Sequence, residues 1–428
     1  MTTEKITTLR LDAATEALTE VLRFQYPADG VLSNFFRNDR KLGQRDRAFV
    51  AEAVYGVLRR LRRVRIAAGE GNVGPRKLVL AWLARFEGYS LRQLEPVLSR
   101  NEIEEWFPAM KAVSFDALSI AERCDLPDWL AARLQAQIGD ERLLSLAEAL
   151  NRPAPLDIRA NTMKIERDAA LAQLKDGGFE AEAGTYSPVA IRFADKPALQ
   201  KHPLFLDGAI EVQDEGSQLL AYMLAPKRGE MVADFCAGAG GKTMLLGALM
   251  RSTGRLYAFD VSEKRLARMK PRVARSGLSN VHPAAIAHEH DARIKRLAGK
   301  LDRVLVDAPC SGFGTLRRNP DLKWRQTEQD VVELTTKQGS ILAAAASLVK
   351  PGGRLVYATC SLLAEENDGV VDAFLAAHPQ FAPLPVGEAL AGSHITLDTA
   401  LDASERLRLD PVTHTTDGFF AAAFVRKA

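Results

Sequence analysis

Two cysteines in turn-forming surroundings, Cys310 in "DAPCSG" and Cys360 in "ATCS", are the groups of this chain best suited to covalent chemistry. Each follows a short apolar run into a turn, where a side chain points into a crevice. A free thiol with a pKa of about 8.5 is only a few per cent thiolate at neutral pH. A nucleophile therefore needs helix N-termini or a nearby cation to lower its pKa, and Lys242 is a candidate cation. The other cysteines, Cys124 and Cys236, complete a set of four with no C-x-x-C pair, so neither a zinc site nor a disulfide framework is expected. The His288-Glu289-His290 run lacks a second ligand cluster at suitable spacing and reads as a polar loop, so no metal is expected.

A second constellation is "DFCAGAGGKT", residues 234–243. It ends like a phosphate-binding loop, but that loop needs a glycine five positions before Gly241, where Cys236 stands. An ATP-driven enzyme is disfavoured on that ground. Gly238, Gly240 and Gly241 suit a tight turn whatever is bound. Asp260, at the end of "RLYAFD", can accept hydrogen bonds from both hydroxyls of a ribose, although it could instead cap the helix begun by "DVSEKRLARMK". The loop before it favours a ribose-bearing cofactor.

These groups need a scaffold that brings them together. "MVADFCA", "RLYAFDV", "LDRVLVDAP" and "GRLVYATCS" are short apolar runs alternating with helical stretches, the pattern of buried parallel strands in a doubly wound α/β sheet. Ligands bind outside the carboxyl ends of such strands, where the glycine loop, Asp260, Asp307 and Cys360 would converge. At 428 residues the chain has room for about three domains. Residues 1–140 read as an all-α bundle, with one apolar stripe from Phe49 to Val64 through "RDRAFVAEAVYGVLRRLRRV". Residues 141–225 read as a small α+β module, opened by the prolines of "NRPAPLDIRANTMK", and residues 226–428 as the Rossmann-like domain.

The formal net charge is only +3, yet residues 37–65 hold ten Lys and Arg against three acids. Such a patch attracts a phosphate backbone, or is a solvated helix face; alone, it favours neither. The composition, 47% hydrophobic and 26% charged, is that of a globular protein. "MTTEKITTLRLDAATEALTEV" lacks the apolar core of a signal peptide and no apolar run is long enough to span a bilayer, so a cytoplasmic protein without a membrane partner is expected.

"DFCAGAGGKT", "LVDAPCSGFGTLRRNPDLKWR", "VYATCSLLAEEN" and "TDGFF" together resemble the RsmB/Sun/Nol family of S-adenosylmethionine-dependent RNA cytosine-C5 methyltransferases. "EVQDEGSQ" and "IRANTMK" extend the likeness upstream, and "LGQRDRAFVAEAVYGVLRRL" is similar to the NusB-like helical domain of the RsmB branch. The resemblance implies that Cys360 adds to carbon 6 of cytosine, that Cys310 assists elimination and release, and that Asp307 holds the polar edge of the base. It implies S-adenosylmethionine bound by Cys236, Ala237, Gly238, Ala239, Gly240, Gly241 and Lys242, with Asp260 on the ribose, Asp291 near the adenine and Asp307 alongside. The usual family loop reads Cys-Ala-Ala-Pro-Gly-Gly-Lys. Here Gly238-Ala239 replaces Ala-Pro, which frees unfolded-chain entropy worth about 0.4–1 kcal/mol. DNA cytosine methyltransferases are similar in using a Pro-Cys thiol, a role Cys310 could fill, but their other motifs are missing. The implied substrate is RNA, with 16S rRNA as the expected target, bound by a monomer. The alternatives are a non-catalytic NusB-like assembly factor, or the same chemistry on tRNA or another RNA.

Overall fold

The computed structural model describes residues 5–69, 71 and 73–428; the first four residues of "MTTEKITTLRLDAATEALTEV" lie outside them. Contacts divide the chain into two compact units. One holds the residues up to Pro153 together with Thr315–Glu328, and the other holds Ala154–Gly314 and Gln329–Ala428.

The first unit is built of helices. The expected stripe is its core: Val50, Ala53, Val54, Val57, Leu58, Leu61 and Val64 are all buried. The stripe is not one continuous helix, because Arg60 leaves helical geometry (φ −121°, ψ 28°) and divides Gln44–Arg59 from Leu61–Ala68. Gly56 lets the Trp82 ring approach so closely that a Cβ there would lie 2.2 Å from it. The arginines of this stretch are largely engaged. Arg63 Nε donates to Oδ2 of the buried Asp125 at 2.7 Å, Arg62 to the Leu126 carbonyl at 2.8 Å, and Arg59 to the Arg317 carbonyl at 3.0 Å. Arg37, Arg40, Lys41 and Arg45 are exposed.

The "NPDLKW" segment also belongs to this unit. Lys323 is buried and donates to the Arg59 carbonyl at 2.9 Å and to Asn151 Oδ1 at 3.0 Å, while Trp324 Nε1 donates to the Leu58 carbonyl at 2.8 Å. Burial disfavours the Lys323 ammonium and lowers its pKa to about 7.

The second unit contains two sheets. The smaller is antiparallel, ordered β2-β3-β1-β4, with β1 Leu156–Ala160, β2 Ala181–Ala183, β3 Ala190–Phe193 and β4 Ile210–Val212. The helix Arg167–Asp176 packs on it through Ala170 and Leu174. The larger sheet contains β5 (Met231–Asp234), β6 (Arg255–Asp260), β7 (Val281–Ala285), β8 (Leu301–Asp307), β9 (Val349–Thr359), β10 (Phe381–Leu384), β11 (Arg406–Leu409) and β12 (Phe419–Arg426). Its order is β10-β12-β9-β8-β5-β6-β7, with β11 also pairing β12. Strands β5 to β9 are parallel and β12 runs antiparallel to β9.

The four apolar runs are β5, β6, β8 and β9. In β8 and β9, Val304, Leu305, Val306, Leu355, Val356, Tyr357 and Ala358 are fully buried, as expected of strands covered on both faces. After β5 the chain builds outward through β6 and β7, then crosses back to β8 on the other side of β5. The order reverses between β5 and β8, and a crevice opens at their carboxyl ends.

Candidate active site

A cleft of about 460 Å³ lies at these strand ends, lined by Asp234, residues 236–239, Gly241, Lys242, Asp260, Asp307, Cys310 and Cys360 among others. The loop after β5 is held from both sides. The Ala237 amide donates to the Phe259 carbonyl at 2.8 Å, and Gly240 turns back onto the Ala237 carbonyl at 2.9 Å. Gly240 has φ +87°, and a Cβ there would meet Met269 at 2.5 Å, so position and conformation both require glycine. At the Gly238-Ala239 step, Arg272 donates to the Ala239 carbonyl at 2.6 Å while pairing with the buried Glu211 at 2.9 Å. An ion pair reaching from β4 through the helix Glu263–Ser276 thus pins a loop that lacks proline.

Asp260 does not cap the following helix; Ser262 does, its side chain accepting from the Arg265 amide. Asp260 Oδ2 accepts from the Gly238 amide at 2.8 Å, and Oδ1 from the Ser262 amide at 2.7 Å. Arg265 also lies 3.0 Å from Oδ1. Each carboxylate oxygen has about two acceptor positions, so Oδ2 can take another donor. Asp234 Oδ2 accepts from Thr243 Oγ1 at 2.7 Å, whereas its buried Oδ1 has no partner among the described residues. Burial raises the Asp234 pKa to about 7. An unpartnered buried acceptor, a second carboxylate and the N-terminus of the helix Gly241–Leu249 suit a ligand carrying ribose hydroxyls and amino-acid charges. The cleft therefore fits S-adenosylmethionine.

Lys242 is close enough to Cys360 to be coupled to it electrostatically. Cys310 Sγ and Cys360 Sγ lie 3.4 Å apart, each half-buried. The hydrogen bond with Cys360, then burial, pushes the Cys310 thiol well above the usual range. Burial does the same to Cys236, which is therefore an inert lining thiol. The Cys360 turn is closed by backbone: the Gly314 amide donates to the Cys360 carbonyl, and the Gly418 amide to the Gly314 carbonyl, both at 2.8 Å.

Asp291 stands apart from this assembly. It is not among the residues lining the cleft; its side chain accepts from the Arg293 and Ala287 amides and caps the short helix Ala292–Lys295. The neighbouring lining residues are Ile286 and Glu289, the latter bonded to Ser340 Oγ at 2.6 Å. Gln213, Ser217, Arg265 and Lys337 also line the cleft, and none of them stands out in the sequence as a site residue. Gln213 had a signal in "EVQDEGSQ", and it is fixed there by the buried Arg159 at 2.7 Å. Among the described residues no cluster of His, Cys, Asp and Glu is arranged to hold a metal ion, and no helix is long and apolar enough to cross a membrane.

A doubly wound sheet with a glycine loop, ribose-type carboxylate and paired thiols at its switch point defines a methyltransferase-type catalytic unit. Comparison with known proteins agrees. Residues 221–425 match the family model described as 16S rRNA methyltransferase RsmB/F, and residues 126–200 match the RsmF/B-like ferredoxin-like domain. The chain is 31% identical to the probable ribosomal RNA small subunit methyltransferase B of Bacillus subtilis (strain 168), over 97% of this chain and 98% of that one. It is similar to the crystal structure of PH0851 (26% identity, TM-score 0.79, 98% and 99% of the two chains). It also resembles a methyltransferase homologue from Pyrococcus horikoshii (33% identity, TM-score 0.62, 73% of this chain and 100% of that one). The chain belongs to the ribosomal RNA small subunit methyltransferase B family and is an S-adenosylmethionine-dependent rRNA methyltransferase.

Proposed function

We propose that this enzyme methylates carbon 5 of a cytosine in 16S rRNA through a covalent bond between Cys360 and the base. The observation that carries this reading is the pair of sulfurs, 3.4 Å apart at neighbouring strand ends and both on the wall of the cofactor-sized cleft. Cys360 adds to carbon 6 and carbon 5 becomes nucleophilic, which replaces one hard step by two easier ones. S-adenosylmethionine, held by residues 236–242 and by Asp260, supplies an electrophilic methyl group when bound. Cys310, kept protonated by its raised pKa, does not compete for carbon 6. It lies within reach of the Cys360 sulfur when the carbon–sulfur bond breaks. That bond breaks with its electron pair leaving on the Cys360 sulfur, as carbon 5 gives its proton to solvent water and the ring double bond re-forms. Asp307, partly exposed on the cleft wall, holds the polar edge of the base, which must be unstacked to enter. The helical unit, read as NusB-like, binds RNA through its exposed basic groups.

The test uses the full-length enzyme with an unmethylated 16S rRNA transcript. Cys360→Ala is expected to bind cofactor and transfer no methyl group, whereas Cys310→Ala accumulates a protein–RNA adduct stable to denaturation. Turnover by Cys360→Ala overturns the assignment, and so does an adduct that forms without Cys360.

A further inference from the structure

Beneath the two thiols lies a carboxylate that the cysteine chemistry does not itself employ. Glu366 is fully buried, in the turn between Cys360 and the helix Asp368–Ala377. Its Oε1 accepts from the Ser311 amide at 2.8 Å and from Gln338 Nε2 at 3.0 Å. Its Oε2 accepts from Ser311 Oγ at 2.5 Å and from Ser361 Oγ. An ionised carboxylate offers about four acceptor positions, and these donors fill them.

The ties land beside the sulfurs. Ser311 follows Cys310, and Ser361 follows Cys360. Gln338 Nε2 also donates to the carbonyl of Pro309, on the other side of Cys310, at 2.9 Å. Asn367, next to Glu366, accepts from Thr359 Oγ1 and donates to the Ser361 carbonyl at 3.0 Å, enclosing Cys360 from both sides. Burying a carboxylate is costly, and a position that needed only packing would be met by an apolar side chain. The Ser311 and Ser361 hydroxyls touch directly at 3.1 Å, and the carboxylate that accepts from both holds that contact in place.

We propose that Glu366 is a positioning residue for methyl transfer: its carboxylate clamps the Cys310 and Cys360 turns together and so sets the separation of the two sulfurs. This rests on the reading of Cys360 as nucleophile and Cys310 as its helper. Glu366 is also among the charges that raise the Cys310 thiol, after the Cys360 hydrogen bond, burial and the Cys360 charge.

The experiment reads sulfur separation without methyl transfer. Diamide takes two electrons and two protons from a thiol pair as the sulfur–sulfur bond forms, and mass spectrometry of the full-length enzyme follows the Cys310–Cys360 crosslink. In Glu366→Ala, crosslinking is expected to slow about tenfold, and kcat on the unmethylated 16S rRNA transcript to fall about a hundredfold with KM nearly unchanged. Glu366→Gln keeps an acceptor for the Ser311 amide and recovers part of both. Ser311→Ala combined with Ser361→Ala removes two donors to the carboxylate and the hydroxyl contact between the turns, while leaving the carboxylate bonded to the amide and Gln338. It covers the case of a Glu366→Ala protein that does not fold, and slows crosslinking in the same direction. Wild-type crosslinking and kcat in these variants overturn the clamp, even where Cys360→Ala is inactive and the nucleophile assignment stands. Conversely, slow crosslinking beside an active Cys360→Ala enzyme supports the clamp and removes the nucleophile.

Discussion

Lys242 Nζ donates to Asp307 Oδ2 across 2.6 Å, joining the helix that follows the β5 loop to the end of β8. Burial works against the ammonium, but the Asp307 carboxylate outweighs it and the Lys242 pKa lies above its ordinary value. A raised lysine pKa stabilises the folded state below the unfolded value, about 10.4, and that stability is lost as pH rises through the folded one. Asp307→Asn leaves a buried cation unpaired and is expected to cost about 2 kcal/mol at neutral pH, less than for a fully buried pair because Asp307 is partly exposed. Urea unfolding of both proteins should show this gap at pH 8 and its closing above pH about 10.4.

Asp234 should make cofactor binding release protons. Its folded pKa of about 7 lies above the unfolded value of about 3.9, so ionising it in the folded protein is penalised as pH rises between them. A cationic ligand in the cleft favours the ionised form. Calorimetric titration with S-adenosylmethionine near pH 7, in buffers of different ionisation enthalpy, is expected to show proton release that Asp234→Asn abolishes. Affinity of the wild type should rise with pH through this range.

Gly314 has no room for a side chain. A Cβ there would sit 2.0 Å from the Gly418 carbonyl oxygen and 2.8 Å from the Cys360 carbonyl oxygen. Gly314→Ala is expected to cost about 1–3 kcal/mol and to move the Cys360 turn. Thermal unfolding checks the first effect, and the diamide crosslinking rate checks the second.

The basic groups of the helical unit should separate by role. Arg63→Ala leaves the buried Asp125 carboxylate without its guanidinium and is expected to destabilise by about 3 kcal/mol. Replacing Arg37, Arg40, Lys41 and Arg45 by Ala should leave unfolding unchanged, weaken rRNA binding and flatten the logarithmic salt dependence by about 3. Filter binding between low and moderate salt measures the slope.

The sequence carried the central strands because β5, β6, β8 and β9 are apolar runs with a polar or small residue at the end, and the same pattern placed Asp260, Asp307, Cys310 and Cys360 at one crevice. It did not carry β7, whose "VHPAA" has a proline and half-exposed positions, or β12, whose alanines suit helix as well as strand. Asp291 was assigned from likeness in a stretch with little pattern, and its carboxylate proves to be a helix cap. Glu366 was visible in "AEEN", but spacing alone does not separate it from the neighbouring Glu365; burial and four donors do. The arginine patch looked uniform because one letter does not reveal which guanidinium is already bonded.

The far margin of the large sheet has its own consequence. The outer side of β12 is divided end to end, β11 pairing residues 419–422 and β10 pairing residues 423–426. Neither rim strand exceeds four residues, and Arg406 and Arg408 on β11 are tied to Asp368. A stray extended segment finds a template on this flank that is short, charged along β11 and interrupted by Pro383 in β10, so fibrillar self-association is expected to be disfavoured on the side where the antiparallel strands end.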